Sequence, residues 1–198
     1  MSLEQAQAFI IFAVVAAITP GPSNVMLTAT GANVGVLRGL PCLFGVGAGM
    51  GLMMFVVAFG LGALFLGSEL IAEGLKWCGA AFLLWLSWRI ASAGSSDSTN
   101  RGRPIGFTGA ALFQWLNPKS WLVATSAAGT YLQADGETAF TQAAAIGALF
   151  VAAALPSGFV WLAAGLAIQR MLRSPRRLRI FNVAMGSLLA GSVIWFVW

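Results

Sequence analysis

The chain has 198 residues, of which 59% are hydrophobic and only 9% charged, with a net charge of +5. A soluble globular domain carries about a quarter of its residues as charges, so this composition excludes one and identifies an integral membrane protein. There is no histidine, which removes the commonest proton shuttle and metal ligand, and the two cysteines form no CxxC pair. No cofactor or metal is therefore expected, and an enzyme reading has little to stand on. The start "MSLEQAQ" lacks a basic segment, so the first apolar block is expected to be retained rather than cleaved.

Apolar blocks near 6–29, 41–66, 71–91, 107–131, 138–168 and 180–198 are each long enough for a hydrocarbon core of about 30 Å at about 1.5 Å per residue. Six transmembrane helices in a single domain over 1–198 is the economical reading. The connections are "GANVGVLRGL", "LGSELIAEG", "SAGSSDSTNRGRP", "QADGETA" and "QRMLRSPRRLR". The first, third and fifth are basic, through Arg38, Arg89, Arg101 and Arg103, and Arg170, Arg173, Arg176, Arg177 and Arg179. The second holds Glu69 and Glu73 against Lys76, and the fourth only Asp135 and Glu137. By the positive-inside rule the basic connections face the cytoplasm and both termini lie outside. A topology signal explains the fifth connection better than a lipid-headgroup or nucleic-acid patch, and no nucleic-acid partner is expected. Trp77, Trp88, Trp115, Trp121, Trp195 and Trp198 fall toward block ends, where indoles anchor at the interface. Cys42 and Cys78 are expected to be small packing residues.

Within the first block stands Thr19-Pro20-Gly21-Pro22-Ser23-Asn24. Proline donates no amide and displaces the carbonyl four residues back, so Pro20 and Pro22 are expected to release the carbonyls of Ala16 and Ile18. In the fourth block Asn117-Pro118-Lys119 does the same to Gln114. Unwound backbone at membrane depth is tolerated only where protein buries it or a cavity hydrates it. Each break also reads as a helix start, a cap residue followed by proline at the first helical position. With the assigned directions, the helices after Pro22 and Pro118 run opposite ways from mid-membrane, so their amino-terminal ends converge. Such a place suits a carboxylate, with the released carbonyls for an ammonium group or a cation.

The breaks fall in blocks one and four of six, which predicts two inverted three-helix repeats, about 1–98 and 99–198. Lys119 is the only ionisable side chain deep in a block, and the cost of inserting it requires that it face the interior. Snorkelling to local carbonyls is its blander alternative, as plain kinks are for the prolines. Gly45, Gly47, Gly49, Gly51, Gly60 and Gly62, and Pro156-Ser157-Gly158, read as close helix packing, with passage of a moving helix as the functional alternative.

The stretches "TPGPSNVML", "GANVGVLRGLPCLFGVGAGMG", "LKWCGAAFLLWLSWRIASAG", "FTGAALFQWLNPKSWLVA" and "RRLRIFNVAMGSLLAGSVIWF" resemble the lysine-exporter (LysE) and homoserine/threonine-exporter (RhtB) family of bacterial inner-membrane proteins. The likeness covers essentially the whole chain, and the pairing of PGP with NPK is its most specific element. It implies secondary-active export of an amino acid or related small zwitterion, by antiport with H+ or Na+, from a bacterial inner membrane. The implied substrate-binding set is Pro20, Gly21, Pro22, Ser23, Asn24, Gln114, Asn117, Pro118 and Lys119. Ser23 stands where many of that family carry an acid, and "SWLVATSAAGTYL" lacks their "PQF". Membrane lipids surround such a protein, and a homodimer stays open. The competing readings are a helper subunit that transports nothing and, less well supported, a membrane-embedded enzyme.

Overall fold

The computed structural model describes residues 1–62, 68–93, 105–132, 139–171 and 174–197. Arg101, Arg103, Asp135, Glu137, Arg173 and Trp198, together with the side chain of Trp195, lie outside the described residues. Within them the protein is helical throughout: α1 (Leu3–Ile18), α2 (Pro22–Val56, continued by a π-helical turn over Val57–Leu61), α3 (Glu69–Ser92), α4 (Phe107–Leu116), α5 (Pro118–Tyr131), α6 (Ala139–Met171) and α7 (Pro175–Val197). Among the described residues four stretches are long and apolar enough to cross a membrane: Pro22–Gly60, Glu69–Ser92, Ala139–Met171 and Pro175–Ile194.

The longest of these is not one rod. Gly35 has φ 79° and ψ 175°, a conformation that side chains on Cβ disfavour. Across it Thr30 Oγ1 lies 3.9 Å from Cys42 Sγ. Twelve residues of straight helix would separate them by about 18 Å, so the chain folds back at Gly35 into two antiparallel limbs. The stretch read from sequence as a ten-residue connection, "GANVGVLRGL", is thus helix on both sides of one glycine. Likewise Arg176, Arg177 and Arg179 of the fifth connection stand in the opening turns of α7, and Arg170 in the last turn of α6. Ser174 caps α7, accepting from the Arg177 amide at 3.2 Å, and Pro175 supplies the pre-set backbone angle of a helix start.

Small residues let the helices approach. A Cβ on Gly45 would strike the Phe107 carbonyl, and one on Gly49 would stand 2.6 Å from the Ala111 carbonyl, so this face of α2 lies directly on α4. The alternate glycines face α6: a Cβ on Gly47 would lie 2.9 Å from Leu155 Cδ2, and one on Gly51 would strike Val151. Two apolar clusters result. One gathers Met26, Leu27, Cys42, Leu43, Val46, Leu83, Leu86, Phe113 and Leu162. The other gathers Phe9, Ala13, Met50, Met53, Met54, Ile146, Phe150 and Ala154. Cys42 is buried as expected, whereas Cys78 is exposed and packs no core.

Candidate functional site

Both proline-marked stretches are places where helix stops and restarts. α1 ends at Ile18 and α2 begins at Pro22, while α4 ends at Leu116 and α5 begins at Pro118 with Asn117 as cap to both. The two points meet. Asn117 Nδ2 donates to Ser23 Oγ at 3.1 Å, and Ser23 Oγ donates to Gln114 Oε1 at 2.9 Å. Ser120 Oγ donates to the same Gln114 oxygen at 3.1 Å, and Gln114 Nε2 donates to the Ala110 carbonyl at 3.0 Å. Gln114, Asn117 and Ser120 are almost fully buried. Two helix starts therefore share one buried network.

From there the two helices part. α5 runs antiparallel to α1, with Lys119 against Thr19 and Gly21 and Tyr131 Oη donating to the Ala8 carbonyl at 3.4 Å. The Tyr131 ring stands edge-on to Phe9 at 5.2 Å and tilted to Phe12 at 5.7 Å. The first limb of α2 runs the other way, toward Gly35 and the arginines.

Two of the three carbonyls expected to await a ligand, those of Ile18 and Gln114, are partnered instead, which corrects that expectation. Ile18 lost the amide that Pro22 lacks, and its oxygen accepts the indole of Trp161 at 3.1 Å. The Gln114 oxygen accepts the Asn117 amide at 3.3 Å. Because the Lys119 amide turns to Asn117 Oδ1 (3.2 Å), the Trp115 oxygen takes the indole of Trp121 at 2.8 Å. Trp115 and Trp121 thus bracket a helix break, with rings 6.1 Å apart and edge-on, rather than marking block ends. Ala17 and Thr19 both accept from the buried Asn24 amide, at 3.1 and 2.8 Å. The Thr19 oxygen accepts in addition from Lys119 Nζ.

A cavity of about 50 Å³ opens beside this network. Six of the nine residues singled out from sequence line it: Gly21, Ser23, Asn24, Gln114, Asn117 and Lys119. Pro20, Pro22 and Pro118 shape the breaks without facing it. Ser120 adds a hydroxyl that the sequence reading passed over. The opposite wall is apolar, from Leu27, Val46, Met50, Val123, Phe150 and Ala154, and draws on both core clusters. Among the described residues no Asp or Glu lines the cavity, and no group of His, Cys, Asp and Glu could hold a metal ion.

A second polar junction lies where the arginines cluster. Asn33 and Asn182 exchange amide hydrogen bonds, 3.0 Å each way. Asn33 also donates to Ala29 and Asn182 to Ala93, both at 2.8 Å. This ties the end of α2's first limb to α3 and α7.

The sequence matches the model of the LysE type translocators over residues 14–197. The chain belongs to the LysE type translocator family. It is 30% identical over 128 residues to a protein of Salmonella typhimurium named cysteine/O-acetylserine efflux protein, covering 63% of this chain and 64% of that one. The match thus spans just under two thirds of the Salmonella relative. A protein of the same name from Klebsiella pneumoniae is 30% identical over 125 residues, with the same shares covered. The Escherichia coli K12 protein of that name is 25% identical over 185 residues, 92% of each chain. These relatives are named as efflux proteins and not as enzymes. No solved structure matches the chain.

Proposed function

We propose that this translocator exports a small neutral amino acid, of the kind cysteine and O-acetylserine represent, across the bacterial inner membrane. The observation that carries the reading is the junction of the α2 and α5 starts around a cavity holding one ammonium and no carboxylate. The positive ends of two helix dipoles and Lys119 favour the carboxylate of an amino acid. A lysine or arginine cargo would find no counter-charge for its side chain, whereas Met50, Phe150 and Val46 offer a short apolar or thiol side chain a dry wall. The cavity has room for only a few water molecules, so a bulky solute would require its walls to part widely.

The rest of the transport reading is part of the same proposal. α1 with the first limb of α2, the second limb, α3, α4 with α5, α6 and α7 make six crossings in two inverted halves, about 1–98 and 99–198. Arg38, Arg89, Arg176, Arg177 and Arg179 place their end of the bundle in the cytoplasm and both termini outside. Export is coupled by antiport to H+ or Na+. Efflux from preloaded vesicles tests the core of this: cysteine and O-acetylserine should leave faster with the protein than without, and lysine should not. Equal rates for all neutral amino acids with and without protein, under any imposed gradient, would end the reading.

A further inference from the structure

The Thr19 carbonyl lies at the carboxyl end of α1, the negative end of that helix's dipole, and both of its lone pairs are in use. One belongs to Asn24, a buried side chain held by its own bond to the Ala17 carbonyl. The other belongs to Lys119 Nζ, at the tip of a flexible four-carbon stem from a different helix. Asn24 and Trp161 are fixed partners of this break, and Lys119 is the partner that can leave. Gly21 makes room for it: a Cβ there would stand 2.8 Å from Lys119 Cδ and 3.3 Å from Nζ. Gly21 has φ −174° and ψ 178°, which any residue adopts, so space and not backbone conformation requires the glycine.

An ammonium group thus already sits on a carbonyl beside the cavity, donated by the protein itself. We propose that Lys119 stands in for the ammonium of the transported amino acid. An arriving carboxylate, drawn to Nζ and to the Ser23 amide at the start of α2, pulls Lys119 off Thr19, and the solute's own ammonium takes the carbonyl that Lys119 leaves. Lys119 Nζ and the Thr19 carbonyl, at the exposed edge of the cavity, each keep a partner in both arrangements, which keeps the exchange shallow in energy. Only a molecule bearing both charges on neighbouring carbons completes the swap. A carboxylate alone would leave Thr19 short of a donor, and an amine alone would find its place taken. This inference rests on the central cavity being the cargo site.

The test is binding of cysteine, cysteamine and 3-mercaptopropionate, under reducing conditions, to purified wild-type protein and to Lys119→Ala. The wild type should bind cysteine at least about tenfold more tightly than either half-molecule. Lys119→Ala should lose affinity for cysteine and gain about tenfold for cysteamine, because the Thr19 carbonyl is vacated. Loss of a positive charge favours an amine by itself, so the deciding variant is one that keeps the charge. Gly21→Ala, which pushes the lysine stem off Thr19 while keeping its charge, should shift cysteamine binding the same way and gives a second reading if the first variant is poorly made. Cysteamine binding unchanged or weakened in Gly21→Ala overturns the swap, whatever Lys119→Ala does. Failure of the wild type to bind any neutral zwitterion would instead tell against the cargo assignment, and the cysteamine comparison would still stand by itself.

Discussion

At the Ser23–Asn117 junction several polar side chains and the Lys119 ammonium line one cavity, whereas at the Asn33–Asn182 junction the amides bond each other and Asn33 alone of the pair reaches a cavity, of about 60 Å³. Both lie in apolar helices, and both bridge segments far apart in the chain. The asparagine pair has spent its donors: both side-chain amides give both N–H groups to protein carbonyls, so no N–H is left for a ligand. At the other junction one of the three N–H groups of Lys119 goes to Thr19, and the remainder of its bonding capacity adjoins the cavity. A closed set of hydrogen bonds holds helices, and an open one receives something. The same residue types in the same apolar setting thus do different jobs according to what their partners use up.

The comparison can be broken in descending order of expected effect. Lys119→Ala should lower efflux by about 100-fold, the scale of losing a charge-assisted hydrogen bond, while membrane insertion and melting temperature stay close to wild type. Vesicle efflux and a melting curve on one preparation check both halves of that claim. Asn182→Ala should do the reverse. Stripping a fully buried amide leaves Asn33 and the Ala93 carbonyl short of partners, costing about 1 to 3 kcal/mol of stability, with the affinity of the surviving protein for its solute unchanged. If that variant instead changed solute selectivity, the two junctions would not be separate in kind.

Smaller effects sharpen the same contrast. Ser23→Ala removes a hydroxyl linking Gln114 to Asn117 and should weaken solute binding by about fivefold, measured by titration. Trp161→Phe deprives the Ile18 carbonyl of its indole at the edge of the first break. Interhelical hydrogen bonds in membranes average about 0.6 kcal/mol, so a two- to threefold drop in efflux is expected.

Much of the central junction could be read before the structure, because proline's missing amide is a local fact that needs no tertiary information. That argument picked out both stretches where helix stops and restarts, and with them Gly21, Gln114, Asn117 and Lys119, while Ser23 and Asn24 came only with the family resemblance; all six line the cavity. It did not reveal what the released carbonyls would bind. Trp161 is 143 residues from Ile18, and nothing in the chain couples the two. The apolar wall was hidden for another reason: helices that are hydrophobic all round carry no stripe to tell a cavity-facing Met50 or Phe150 from an outward-facing Phe44 or Leu52. The glycines of α2 announced close packing but not that alternate ones serve α4 and α6. Asn33 and Asn182 were passed over, although two isolated amides in apolar helices are a signal of interhelical hydrogen bonding.

The claim on which the account turns is that the cavity between the α2 and α5 starts receives a small neutral amino acid. Val123 lines that cavity, and the exposed Cys78 can be replaced to leave a single reactive thiol at Val123→Cys. Alkylation of that thiol should slow by about tenfold with O-acetylserine at ten times its dissociation constant, by mass action, and lysine at the same concentration should leave it unchanged. An alkylation rate indifferent to every neutral amino acid, in protein that melts like the wild type, would contradict the account.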